Sequence, residues 1–234
     1  MGDIKEIAMP ARAKYEKDLS EIFDRLVLMC RYIESAIEKS VKAFIERDFE
    51  LVQEVFAEDK IVDKLERKIE KACLRLLVMQ QPVASDFREV YAALKMITDL
   101  ERIGDQARDI AEITTRTESE EYTGKLENIH QMAVIVIQMV KDGIQAYINR
   151  DLELARSIET TDDKVDELFN VIRNEIVAQV KKAPDGAEQA IMLLMVTKYL
   201  ERIGDHAVNL GEWVEYAATG KAPKKETKKE KTKA

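Results

Sequence analysis

Four pairs of acids in this chain share one spacing: Asp59 and Asp63, Glu101 and Asp105, Asp162 and Asp166, Glu201 and Asp205. An acid, three spacers and an acid place two carboxylates one turn apart on one face of a helix. Composition alone yields roughly eight acid pairs at this spacing, so any single pair means little. These four lie at matched places in a repeat, and each touches an apolar stripe. The stripe Val52, Val55, Val62, Ile69, Cys73, Leu76 should pass through position 59, where the residue is Asp. The stripe Ala155, Ile158, Val165, Phe169, Ile172, Ile176 should likewise pass through Asp162. Phe87, Val90, Leu94 and Ile97 run into Glu101 and Asp105, and Leu194 and Thr197 run into Glu201 and Asp205. Grouped carboxylates in low dielectric repel one another and call for a positive partner. Arg102 and Arg202 each sit one residue along and are expected to project about 100° away from the neighbouring glutamate. An oxygen-only site of this kind suits iron(III), manganese, magnesium or calcium rather than zinc held by Cys and His. Asp109, one further turn on, extends the first set, and its counterpart Asn209 offers a neutral oxygen. The two sites therefore need not hold the same number of ions.

The elements that carry these acids are six helices. Periodicity and punctuation predict them at about 13–47, 50–79, 84–117, 126–149, 153–182 and 188–218. The breaks recur in order: "RDFELV" at 47–52 and "RDLELA" at 150–155, then "LERIGD" at 100–105 and again at 200–205. Between the two landmarks the second copy is about three residues shorter. Tandem duplication of a three-helix unit follows, with a first repeat over 1–118, a second over 119–219 and a tail over 220–234. The fold class is all-α: two similar antiparallel three-helix bundles. Gly104 and Gly204 stand mid-helix, where glycine costs roughly 1 kcal/mol relative to alanine; close approach of a neighbouring helix or of a metal is the expected return. Pro82 suits a helix start, since its missing N–H is not needed there.

The chain has 234 residues, 46% hydrophobic and 35% charged, with 8 Gly and 4 Pro, a helical and water-soluble composition. Many Lys and Glu beside few Asn, Gln, Cys and His point toward a thermophile. The net charge of −8 hides a tail, 221–234, with 7 Lys and 2 Glu. The remaining body is more acidic still and a poor partner for nucleic acid. The tail is expected to be disordered and solvated, with electrostatic contact to anionic lipid or an acidic partner as the sharper alternative. "MAVIVIQMV" at 132–140 is too short to span a bilayer, and the start shows no secretory signal. Cys30 and Cys73 are expected to be reduced core thiols of a cytoplasmic protein. There is no phosphate loop, serine elbow or Cys/His pairing. "ENIH" (Glu127 to His130) occurs once, where a di-iron oxidase needs two such motifs. An enzyme is not expected.

"LERIGDQARDIAE" and "LERIGDHAVNLGE", duplicated in a six-helix chain with "YEKDLSEI", "ASDFREV" and the two RD breaks, resemble the PhoU family over about residues 10–218. The resemblance implies a pair of three-helix bundles whose E(D)xxxD motifs bind multinuclear metal clusters, iron in some members. The matching positions are Asp59, Asp63, Glu101 and Asp105, then Asp162, Asp166, Glu201 and Asp205. Iron is the expected ion, with manganese, magnesium, calcium, nickel and zinc as alternatives. Also implied are restraint of the phosphate-starvation response, contact with a sensor histidine kinase at the inner membrane and with the ATPase subunit of a phosphate ABC transporter, and self-association, as a homodimer. Membrane association would then be peripheral, through those partners. A metal-storage or redox bundle and a metal-free helical scaffold are the alternative readings. No role carries over to the lysine tail.

Overall fold

A computed structural model describes residues 11–116 and 126–223. Six helices account for nearly all of them: α1 Ala11–Glu46, α2 Phe49–Gln80, α3 Ala84–Thr115, α4 Glu127–Asn149, α5 Leu152–Lys182 and α6 Ala187–Thr219, with a 3₁₀ turn at Pro184–Gly186 before α6. The expected boundaries hold to within a few residues. The central linker (117–125) and most of the lysine tail lie outside the described residues. Pro82 is not in the first turn of α3; it precedes the extended N-cap Val83.

Both RD breaks are built alike. Arg47 and Arg150 adopt left-handed backbone (φ 58° and 55°) and end α1 and α4. The next residue, Asp48 or Asp151, is extended and caps the following helix. Asp48 accepts from the N–H groups of Glu50 and Leu51, and Asp151 from those of Glu153 and Leu154. These bonds satisfy donors that a helix start leaves open. Two residues therefore reverse the chain in each repeat, and the flanking helices pack antiparallel.

Helices α1–α3 form one bundle and α4–α6 a second; α3 against α6, and α1 against α4, join them. The interior is one connected apolar core running from Leu26, Ile33 and Phe44 to Val165, Leu200 and Leu210. Its two inner helices, α3 and α6, are packed on several sides, so their buried faces are broader than single stripes. Leu100, Ile103, Ala107 and Ile110 are fully buried on α3. Phe87, expected in the stripe, lies in the first turn of α3 and is 43% exposed. The α2 and α5 stripes are buried as expected, save Phe169, which is half-buried.

The α3–α6 crossing shows the repeat relation directly. Asp99 of α3 accepts from Asn209 Nδ2 of α6 at 2.9 Å. The repeat-related pair, Tyr199 in place of Asp99 and Asp109 in place of Asn209, is also hydrogen-bonded. Antiparallel helices related by a pseudo-twofold axis must produce such reciprocal contacts.

Candidate functional site

Asp59 and Asp63 on α2 face Asp105 and Glu101 on α3. The pairing is visible in their mutual electrostatics. Burial raises the Asp59 carboxyl above the usual range, and the charges of Asp63, Asp105 and Asp109 raise it further, with Arg108 opposing. Burial likewise raises Glu101, followed by Asp105, while Arg102 lowers it and Glu66 and Asp63 raise it. Asp109 is raised by burial and then by Asp105, with Arg108 and the Tyr199 hydroxyl opposing. Like charges gathered in partial burial favour the neutral form in this way.

The chain answers these acids with its own cations. Arg102 reaches Glu101 Oε2 at 3.5 Å and Asp105 Oδ2 at 3.3 Å. The expectation that Arg102 projects away from its glutamate is thereby corrected: its long side chain curls round to both Glu101 and Asp105, one turn on. Arg108 stands 3.7 Å from Asp59, and Arg67 stands 3.5 Å from Asp63. All three guanidinium groups are well exposed, so solvent weakens these pairs.

The second set sits between α5 and α6. Asp162 is buried, at 6% exposure. Its carboxylate lies against the backbone of Gly204: a Cβ there would be 2.8 Å from Asp162 Oδ1. Close approach is thus the return on glycine in this copy of LERIGD. In the first copy the nearest group to a Cβ on Gly104 is Val62 Cγ1, at 3.3 Å. The repeat equivalent of Val62, Val165, stands 3.5 Å from the corresponding point on Gly204. Asp166, Glu201 and Asp205 are each half-buried on the same pair of helices. Lys198 pairs with Glu201 from one turn back.

Asn209 does not join this set through its amide nitrogen. Asp99 gathers Asn209 Nδ2, His206 Nδ1 at 2.9 Å and Trp213 Nε1 at 3.2 Å into one hub across the bundle junction. Periodicity within single helices carries no sign of this hub, because its members meet only when α3 crosses α6. Glu66 was also missed. Burial raises its carboxyl, followed by Glu70 and Asp63, and its charge acts on Glu101. It follows Asp63 by three residues, a helical spacing, but its repeat counterpart is Phe169, so duplication did not flag it. The first set is therefore the more acidic of the two.

Among the described residues, no three carboxylate, histidine or cysteine side chains stand close enough together to hold an ion as they are. The donor set nonetheless has the chemistry of a hard-cation site: oxygen donors only, on facing helices and partly buried. Asp59, Asp63, Glu66, Glu101 and Asp105 would hold a cation in the first repeat, and Asp162, Asp166, Glu201 and Asp205 in the second. His130 of ENIH is exposed on α4. Cys30 and Cys73 are buried and free.

Fold and site together define a class: duplicated three-helix bundles with carboxylates paired between the second and third helix of each. The PhoU domain profile matches residues 26–114 and 129–214, and the chain belongs to the PhoU family. A phosphate-specific transport system accessory protein PhoU homolog from Clostridium acetobutylicum is 36% identical over 211 residues, covering 90% of this chain and 96% of that protein. The Aquifex aeolicus protein of the same name is 35% identical over 218 residues, covering 93% and 99%. The crystal structure of PhoU from Pseudomonas aeruginosa superposes with a TM-score of 0.84 at 30% identity, over 88% of this chain and all of that one. PhoU from Streptococcus pneumoniae, at 24% identity and a TM-score of 0.83, shares the fold.

Proposed function

We propose that this protein is a non-enzymatic, cation-binding regulator of phosphate uptake. It restrains the phosphate-starvation response by contact with a sensor histidine kinase and with the ATPase subunit of the phosphate transporter. The observation that carries the reading is the facing of α2 and α3 carboxylates, repeated between α5 and α6, in a chain of the PhoU family. Its relatives' name, phosphate-specific transport system accessory protein, supplies the physiological setting. The protein acts in the cytoplasm as a homodimer, in two repeats divided near residue 118 and followed by a tail from 220. No described helix is long and apolar enough to cross a membrane, which suits association through partners.

Bound cations, iron first among them, would neutralise the crowded carboxylates and stiffen each helix pair. A partner helix has a surface to use. Between α1 and α4 lies a groove of about 520 Å³ lined by Val41, Ile45, Leu126, Ala133, Val134 and Ile137. An amphipathic helix can lay its apolar face in such a groove.

Elemental analysis of protein purified without added metal tests the cation reading, with an Asp105→Ala, Asp205→Ala double variant beside it. Loss of bound metal in the variant is expected; unchanged metal content excludes these sites. Recovery of a transporter ATPase or histidine kinase with the tagged protein tests the regulatory reading. Iron-dependent oxygen consumption by the purified protein would instead favour a redox bundle.

A further inference from the structure

The exposed side of α2 carries a feature that the fold does not require. Lys60, Lys64, Arg67, Lys68, Lys71 and Arg75 are all exposed. At 100° per residue they fall within one sector of the helix. Among the described residues only Arg67 of the six forms an ion pair, with Asp63. Asp63 and Glu66 of α2 lie on the flank toward α3, as their coupling to Glu101 shows, while Glu54 and Glu58 turn to Lys39 of α1. The stripe ends in apolar residues on the same side: Leu74 is 49% exposed, Val78 71% and Met79 64%. Val83 in the connector to α3 adds 75% exposure. Beside the stripe, a groove of about 590 Å³ between α1 and α2 is lined by Lys68, Lys71 and Arg75 from α2 and by Asp18, Glu21 and Arg25 from α1.

The second repeat is an internal control. The positions of α5 that correspond to the six cations are Asp163, Glu167, Asn170, Val171, Asn174 and Ala178. The equivalent helix of the second bundle folds without a cation at any of these positions, so packing does not demand the stripe. A row of cations on a protein of net charge −8, ending in large exposed apolar side chains, matches one kind of surface. Cations are drawn to anionic headgroups, and apolar side chains enter the headgroup boundary. Nucleic acid would use the cations but leave the apolar end unexplained.

We propose that the outer face of α2, with the α2–α3 connector, docks directly on an anionic lipid surface. This contact is separate from the carboxylate sites and from any protein partner. The groove beside Lys71 and Arg75 receives a headgroup phosphate, while Val78, Met79 and Val83 dip into the boundary layer.

Flotation of the purified full chain with vesicles tests this, comparing phosphatidylcholine alone with a phosphatidylglycerol mixture at low and high salt. Binding is expected to the mixture only, weakening as salt rises. The Lys68→Gln, Lys71→Gln, Arg75→Gln variant should lose at least about tenfold in partitioning. Val78→Ser, Val83→Ser should weaken binding while keeping its salt dependence. All replaced side chains are exposed, and circular dichroism verifies that the helices persist. A chain lacking residues 224–234 should still bind and still respond to the α2 changes. Four outcomes overturn the proposal: no anionic-vesicle binding, full binding by the triple glutamine variant, loss of all binding on removing 224–234 alone, or tighter binding of duplex DNA than of vesicles at the same salt.

Discussion

The Asp162 carboxylate rests on the backbone of Gly204, so near that an added Cβ would meet Oδ1 at 2.8 Å. Gly204→Ala must move that carboxylate. The change is cheap for the fold: the displaced atom is a side-chain end, and alanine returns roughly 1 kcal/mol of helix propensity. The melting temperature should move little, while cation affinity of the second set falls. Gly211→Ala gives the opposite pattern. Its Cβ would meet the backbone oxygen of Ala155 at 2.6 Å, and backbone cannot step aside. It should cost about 2 kcal/mol of stability. Urea unfolding of both variants, with cation titration monitored by calorimetry, separates the two effects.

Asp59 is raised by burial first and by Asp63 next. A folded-state value above the unfolded one means that the native state holds the proton more tightly. Its contribution to stability is complete below the ordinary Asp value of 3.8 and is lost as pH rises through the raised one. Asp59→Asn removes this penalty. In cation-free buffer, the variant should match the parent at pH below 3.8 and gain on it as pH rises above that value. Thermal melts across pH give the comparison, and a constant difference would refute the assignment.

A cation held at these carboxylates should raise the melting temperature of the parent protein at neutral pH. Saturation at a hundred times Kd corresponds to about 2.7 kcal/mol. Asp59→Asn combined with Asp162→Asn should show a smaller shift on adding iron or manganese.

Asp99 holds three donors of α6: His206, Asn209 and Trp213. Asp99→Ala strands them at the bundle junction and should cost about 2–3 kcal/mol. Trp213 is the only tryptophan of the chain. Its fluorescence should therefore report the loosened junction in the folded variant and the lower urea midpoint.

The Tyr147 hydroxyl donates to the Glu89 carbonyl at 2.6 Å, tying α4 to α3. Tyr147 is 2% exposed, so Tyr147→Phe leaves the packing intact and removes one buried bond. A loss of about 1 kcal/mol is expected in urea unfolding. Arg150 pairs with the carboxylate of the same Glu89, and that ion pair should survive the change.

Much of this protein was legible in the chain itself. Helix ends were announced by local chemistry: the RD pairs place a left-handed residue before a capping aspartate, and both steps act within four residues. The carboxylate positions on α2 and α5 showed as interruptions of a periodic stripe, which is also a property of one helix. Duplication then singled out four pairs from the many that composition supplies. Contacts between helices were not legible. Glu66 joined the first set, Asp99 collected its three donors, and Gly211 met Ala155 only through the register and crossing of separate helices. Arg102 folded back on Glu101 because a long side chain explores more than its Cβ direction. Periodicity reports which way a residue points from its own axis. What it meets there depends on how the side chains of two helices interdigitate, and that choice belongs to the packed whole.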